Sequence, residues 1–243
     1  MDLRAVGSKT RPRAPKLRSI LGLAGVILAL WTVWAAVVLP EVPPLSPAMR
    51  DLVGVGVRAL CWLVPAAIYL VPRYGRGTLG RLRLNAPPSS QHLLWAALLV
   101  GGWSSVLAIE RAAELAIPLT DLLRRVPRSL APFDAPLFEE LVFRGVIFSE
   151  LLQRVSDKTL RRQLSPLGAR LRFWSANALA SAIFVVLHWP WWLRNGGFSE
   201  ALLWQSLPIF GLSLVLGFTF ERTRSLWPCV LLHWINNTLA STA

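Results

Sequence analysis

Runs of about twenty apolar residues constrain this chain more than any other feature. A helix needs ~20 such residues to cross a hydrocarbon core, where its backbone must satisfy its own hydrogen bonds. Residues 20–39 form one such run, and six more lie at about 52–72, 92–110, 133–152, 172–192, 201–220 and 226–242. The pattern predicts an all-α fold, a polytopic membrane helical bundle of about seven transmembrane helices. Hydrophobic residues make up 54% of the 243, and the mean hydropathy is +0.48. A soluble chain of this length would alternate apolar and polar positions more evenly. The run at 20–39 is too long for the core of a typical cleaved signal and no A-x-A site follows it, so it reads as a retained first span.

The net charge of +13 does not point to nucleic acid, because Lys and Arg lie mostly between the apolar runs. There they set topology and meet anionic lipid headgroups. Six basic residues precede the first span, four lie in the second loop, six in the fourth and two in the sixth. The other side carries six: Arg50, Arg111, Arg124, Arg125, Arg128 and Arg194. The positive-inside rule therefore predicts a cytoplasmic N-terminus and an external C-terminus. Arg-rich, Ala-rich and Leu-rich composition suggests a GC-rich bacterial genome, and hence an inner-membrane location. Cys61 and Cys229 both lie in apolar runs and read as small lipophilic fillers rather than a disulfide. Trp189, Trp191 and Trp192 cluster at the outer end of span five, as an interfacial anchor would. The charged segment 110–132 reads either as an amphipathic interfacial helix or as a polar loop.

Inside the fourth run stands FEELVFRGVIF, residues 138–148. Charged groups at bilayer depth are costly and face a protein interior or a wet cavity. Glu140 and Arg144 are four apart with the acid first, the better order for a helical ion pair. Glu139 points about 100° away from Glu140 and has no local counter-charge. It is the candidate general base. His188 ends span five with Phe184 four residues before it, and His233 has Asn237 one turn later. His92 opens span three and reads as solvated, while Asn177 and Ser181 read as hydrogen-bonding glue between helices. Counting from the outer ends of their spans puts Glu139 about 9 Å deep, His188 about 6 Å and Asn237 about 8 Å, at ~1.5 Å per residue. All three therefore fall in the outer half of the membrane.

These residues give the chain a resemblance to the CPBP family of intramembrane proteases, the CAAX protease and bacteriocin-processing (Abi) family. The shared motifs are E-E-x-x-x-R (Glu139, Glu140, Arg144), F-x-x-x-H (Phe184, His188) and H-x-x-x-N (His233, Asn237), in the family's order on separate spans. The likeness covers residues 92–243, which reads as the catalytic helical core. Residues 20–91 read as two N-terminal spans with a basic loop, and 1–19 as a cytoplasmic tail. The resemblance implies a glutamic-type endopeptidase without a cofactor. Glu139 would activate water and His188 would help hold it. His233 and Asn237 would stabilise the oxyanion. Glu140, Arg144 and Phe184 would support them. Two His and a Glu also match a zinc ligand set, but the H-E-x-x-H spacing is absent, so no metal is expected.

The expected partners are the bilayer and a membrane-anchored protein or peptide. The outward site suits cleavage of a C-terminal anchor during sorting, as proposed for the myxosortase subset of the family. The alternatives are a CAAX-type prenyl-protein endopeptidase and a non-catalytic bacteriocin self-immunity protein. A proton-coupled transporter is disfavoured because no paired broken spans are visible. Substrate and oligomeric state stay open.

Overall fold

The computed structural model describes residues 16–43, 45–84, 89–126, 130–155 and 165–242. Most of the predicted 1–19 tail lies outside these residues. So do the loop cations Arg128, Lys158, Arg161 and Arg162 that entered the orientation count.

Every regular element among the described residues is helical. Helix α1 runs Leu17–Val33 and continues through a π-helical Trp34–Val38 to Leu39–Glu41. Helix α2 is Pro47–Arg58, a π-helical Ala59–Leu63 and Val64–Tyr74. A short α3 (Thr78–Arg81) follows, then the long α4 (Ser90–Glu114) and α5 (Leu119–Arg125). Helix α6 combines Asp134–Glu140, a π-helical Leu141–Phe148 and Ser149–Val155. Then come α7 (Pro166–Val186), α8 (Trp189–Gly196), α9 (Glu200–Thr223) and α10 (Trp227–Ala240).

Five of the seven expected spans are long and apolar enough to cross a membrane: Leu17–Glu41, Leu52–Tyr74, Ser90–Glu114, Leu167–Arg194 and Glu200–Thr223. The chain is a multi-pass membrane protein. The other two, α6 and α10, fall short for different reasons. Helix α6 carries Glu139, Glu140, Arg144, Glu150 and Arg154, whereas α10 has 14 residues, about 21 Å against a ~30 Å hydrocarbon core. Both are lodged in protein. Helix α6 is surrounded by α1, α2, α7, α9 and α10, and it is buried without a break from Val142 to Leu151.

Lipid gives apolar side chains no reason to leave it, so shape and polar bonds must hold such a bundle. Edge-to-face aromatic contacts run from α1 into the centre. Trp31 meets Trp62 at 5.3 Å, Trp62 meets Phe143 at 6.0 Å, and Phe143 meets Phe184 at 4.7 Å. Polar clamps join α2 to both ends of α6. Arg58 donates to Asp134 at one end (2.5 Å), and Tyr69 and Tyr74 donate to buried Glu150 at the other (3.0 and 2.5 Å). One core cluster thus draws on the N-terminal spans and the motif-bearing helices together.

Three local expectations resolve. His92 forms a capping box at the start of α4, its ring accepting from the Ser89 N–H while Ser89 Oγ accepts from the His92 N–H. In the 110–132 segment, α5 buries Leu122 completely against Ala112 and Leu239 and leaves Arg124 exposed, so it is an amphipathic helix packed on the bundle. Asn177 is glue: its Nδ2 donates to the Leu214 carbonyl on α9 at 2.9 Å. That approach needs Gly217, where any Cβ would collide with Asn177 Oδ1. The variant Gly217→Ala is therefore expected to lose about 1–3 kcal/mol, read as a lowered unfolding midpoint in detergent.

Candidate active site

Helix α6 delivers the two glutamates from its last ordinary helical turn, just before the backbone widens into the π-helical Leu141–Phe148. Such insertions recur at functional sites. The Arg144 carbonyl inside this stretch accepts from Ser149 Oγ at 2.9 Å. Gly145 stands where a Cβ would come within 2.7 Å of Leu82.

Glu140 is fully buried and Arg144 is 3% exposed, and they pair at 2.9 Å. Arg144 also donates to Ser213 on α9, at 2.7 Å to its Oγ and 3.0 Å to its carbonyl. Its guanidinium lies over the Phe184 ring at 4.9 Å. Helical spacing exposes the Glu140–Arg144 pair but carries no sign of Ser213, which approaches from another helix.

His233 on α10 enters between the two carboxylates. Its Nδ1 lies 2.9 Å from Glu140 Oε1, and its Nε2 lies 3.7 Å from Glu139 Oε2. Glu140 thus has two partners where the spacing shows one, and Glu139 faces an imidazole rather than standing alone. A carboxylate paired with arginine offers only lone pairs, so the proton of this contact is assigned to Nδ1. Nε2 then faces Glu139 across a gap too long for a direct hydrogen bond. Two acceptors at that separation call for a donor shared between them, such as a bridging water. Glu139 Oε2 is buried and has no hydrogen-bond partner among the described residues.

His188 occupies the junction of α7 and α8. Pro190 has no N–H to offer the Val186 carbonyl, and α7 ends at Val186. The His188 Nδ1 lies 2.8 Å from the Phe184 carbonyl, which can only accept, so Nδ1 carries a proton, and in the neutral ring Nε2 keeps the lone pair. Phe184 ties the two imidazoles together, its ring 4.8 Å from that of His188 and 5.8 Å from that of His233. Trp192 lies 5.6 Å from the His188 ring and Trp189 donates to Ser206, so both pack against protein. Asn237 is half-buried one turn beyond His233, and its Oδ1 accepts from Asn236, leaving Nδ2 to donate elsewhere. Ser181 is buried on α7 with no partner for its hydroxyl among the described residues.

Removing one member of a buried ion pair strands the other. Arg144→Met is therefore expected to cost about 3–5 kcal/mol. The double variant Glu140→Gln/Arg144→Met is expected to be less damaged than Arg144→Met alone. Unfolding of all three proteins in detergent checks the order.

Residues 129–239 match the family model described as type II CAAX prenyl endopeptidase Rce1-like. Neither the curated proteins nor the solved structures provided a match. The matched segment takes in α6 to α9 and nearly all of α10, the helices that bring Glu139, Glu140, His188 and His233 into the site. Residues 129–239 are thus an Rce1-like domain of the CPBP family, a family of membrane proteases.

Proposed function

We propose that the chain is a glutamic-type intramembrane endopeptidase in which Glu139 activates water. The observation that carries this reading is the buried, unpartnered Oε2 of Glu139, 3.7 Å from an imidazole that Glu140 orients. A water there donates one hydrogen to Glu139 and the other to the free Nε2 of His188. As it attacks the scissile carbonyl, its proton passes to Glu139 and the carbonyl oxygen becomes an oxyanion. Asn237 Nδ2 donates to that oxygen. His233 donates as well when its Nε2 carries a proton. Collapse of the intermediate then breaks the C–N bond, and Glu139 returns the proton to the leaving amine. Donors of the oxyanion kind are worth roughly 3 kcal/mol each. No metal or other cofactor takes part.

The segment 92–243 acts as the catalytic core in this reading, with the two N-terminal spans as a buttress clamped onto α6. The substrate is a membrane-anchored protein or peptide cut near the membrane surface. The basic-residue asymmetry supports a site in the extracytoplasmic half of the inner membrane, which favours removal of a C-terminal anchor in sorting. The Rce1-like match favours a second reading, a prenylated CAAX tail. Topology separates the two, because CAAX tails are cytoplasmic.

The variant Glu139→Gln keeps size and loses basicity. Its kcat/KM is expected to fall about 10²–10⁴-fold while substrate still binds and the unfolding midpoint stays put. A variant that retains full turnover would sink the mechanism and leave a partner-binding protein. Proteolysis is further expected to survive a strong chelator. A reporter fused to the C-terminus is expected to lie outside the cytoplasm, and a cytoplasmic reporter would favour the CAAX tail.

A further inference from the structure

At the other end of the bundle lies a cleft of about 660 Å³ between the starts of α4 and α7 and the end of α9. It is remote from the site: Trp174 in its wall and Phe184, which packs on both site histidines, are 10 residues apart along α7, roughly 15 Å of helix. The mechanism above makes no use of it.

Its walls are aromatic and its rim is cationic. Trp174 and Phe218 stack at 6.0 Å with their planes 4° apart. Arg222 lies over Trp95 at 5.1 Å and over Phe218 at 4.9 Å, which holds its guanidinium plane while leaving its N–H edge to donate. Among the described residues Arg222 and Arg170 make no ion pair. Arg224, held in the left-handed backbone region at φ 55, pairs with Glu221 at 2.8 Å. Arg83 pairs with the same carboxylate at 3.3 Å, so the one acid in the rim is already shared by two cations. Of the other polar side chains in the lining, Gln91 is uncharged and His92 is committed to capping α4. The rim therefore holds more positive charge than the described residues neutralise.

Each of the three helices is long and apolar enough to cross a membrane, so a cleft at their ends sits where headgroups lie. Within a helical turn of the lining residues, Leu94 and Leu98 on α4 and Leu171 on α7 are all more than half exposed and add apolar surface beside the cleft. Cation above apolar surface, with Trp between them, matches a molecule that is anionic at one end and acyl at the other. A free phosphate would meet the arginines but leave the aromatic and aliphatic walls uncovered.

We propose that this cleft binds an anionic glycerophospholipid, its phosphodiester on Arg170 and Arg222 and its acyl chains along α4 and α7. The bound lipid bridges α4 to α7 and α9 from the side opposite the glutamates.

The full chain, purified in mild detergent, is titrated with dioleoyl phosphatidylglycerol, dioleoyl phosphatidylcholine or inorganic phosphate. Lipid retention is read by native mass spectrometry and the unfolding midpoint by heating. The expected result is retention of one phosphatidylglycerol with a midpoint raised by several degrees, and weaker effects from the other two. Arg170→Gln/Arg222→Gln is expected to weaken retention at least tenfold, whereas Arg124→Gln/Arg125→Gln, the same charge change on α5, leaves it intact. Should the first double variant not fold, Trp174→Leu removes an exposed wall without touching charge and is expected to weaken retention too. Equal retention of phosphatidylcholine, equal loss in the α5 variant, undiminished retention in Trp174→Leu, or an equal midpoint rise with phosphate alone would overturn the proposal.

Discussion

A buried salt bridge holds the centre of this bundle. Glu140 and Arg144 sit in mid-helix with almost no exposure, where either charge alone would be strongly penalised. Each uses its spare bonding capacity to reach another helix. Arg144 donates to Ser213 on α9, and Glu140 accepts from His233 on α10. Four polar side chains thus bind α6, α9 and α10. In lipid, where apolar packing alone has little directional preference, such bonds set which helices meet and in what rotation.

Two adjacent carboxylates acquire different tasks from this arrangement. Glu140 holds a guanidinium and an imidazole on one oxygen, Oε1, so its charge is spent on structure even though its buried Oε2 has no hydrogen-bond partner among the described residues. Glu139, one residue earlier, meets only the far nitrogen of the same imidazole, and one of its oxygens is left without a hydrogen bond among the described residues. His233 is the hinge between them, one nitrogen committed to each side. Its ring is kept in place by Phe184, which also carries the cation of Arg144 on its face. A single aromatic ring therefore touches the salt bridge and both histidines.

The N-terminal spans carry none of the shared motifs, yet α2 grips α6 at both ends. Arg58 on Asp134 fixes the turn before the glutamates, and the Tyr69–Tyr74–Glu150 cluster fixes the turn after the π-helical stretch. A helix with an irregular middle is thereby pinned on either side of it. The second end of the bundle, where Arg222 and Trp174 line their cleft, shares α7 and α9 with the site but none of its polar groups.

Much was readable from spacing along one chain. Apolar runs of about twenty residues imposed the helical class, because a lipid-exposed segment of that length satisfies its own backbone only as a helix, whereas barrel strands are shorter and alternate. The four-residue interval from Glu140 to Arg144 implied their pairing, since those positions share a helix face. The match of residues 129–239 to an Rce1-like domain accords with the motif order. Tertiary structure alone decided that His233 inserts between the glutamates, that Ser213 completes the Arg144 shell, and that α6 and α10 lie among other helices. No interval predicts these, because each depends on how separate helices rotate and cross. That choice belongs to packing between segments distant in sequence, and a local pattern holds no record of it.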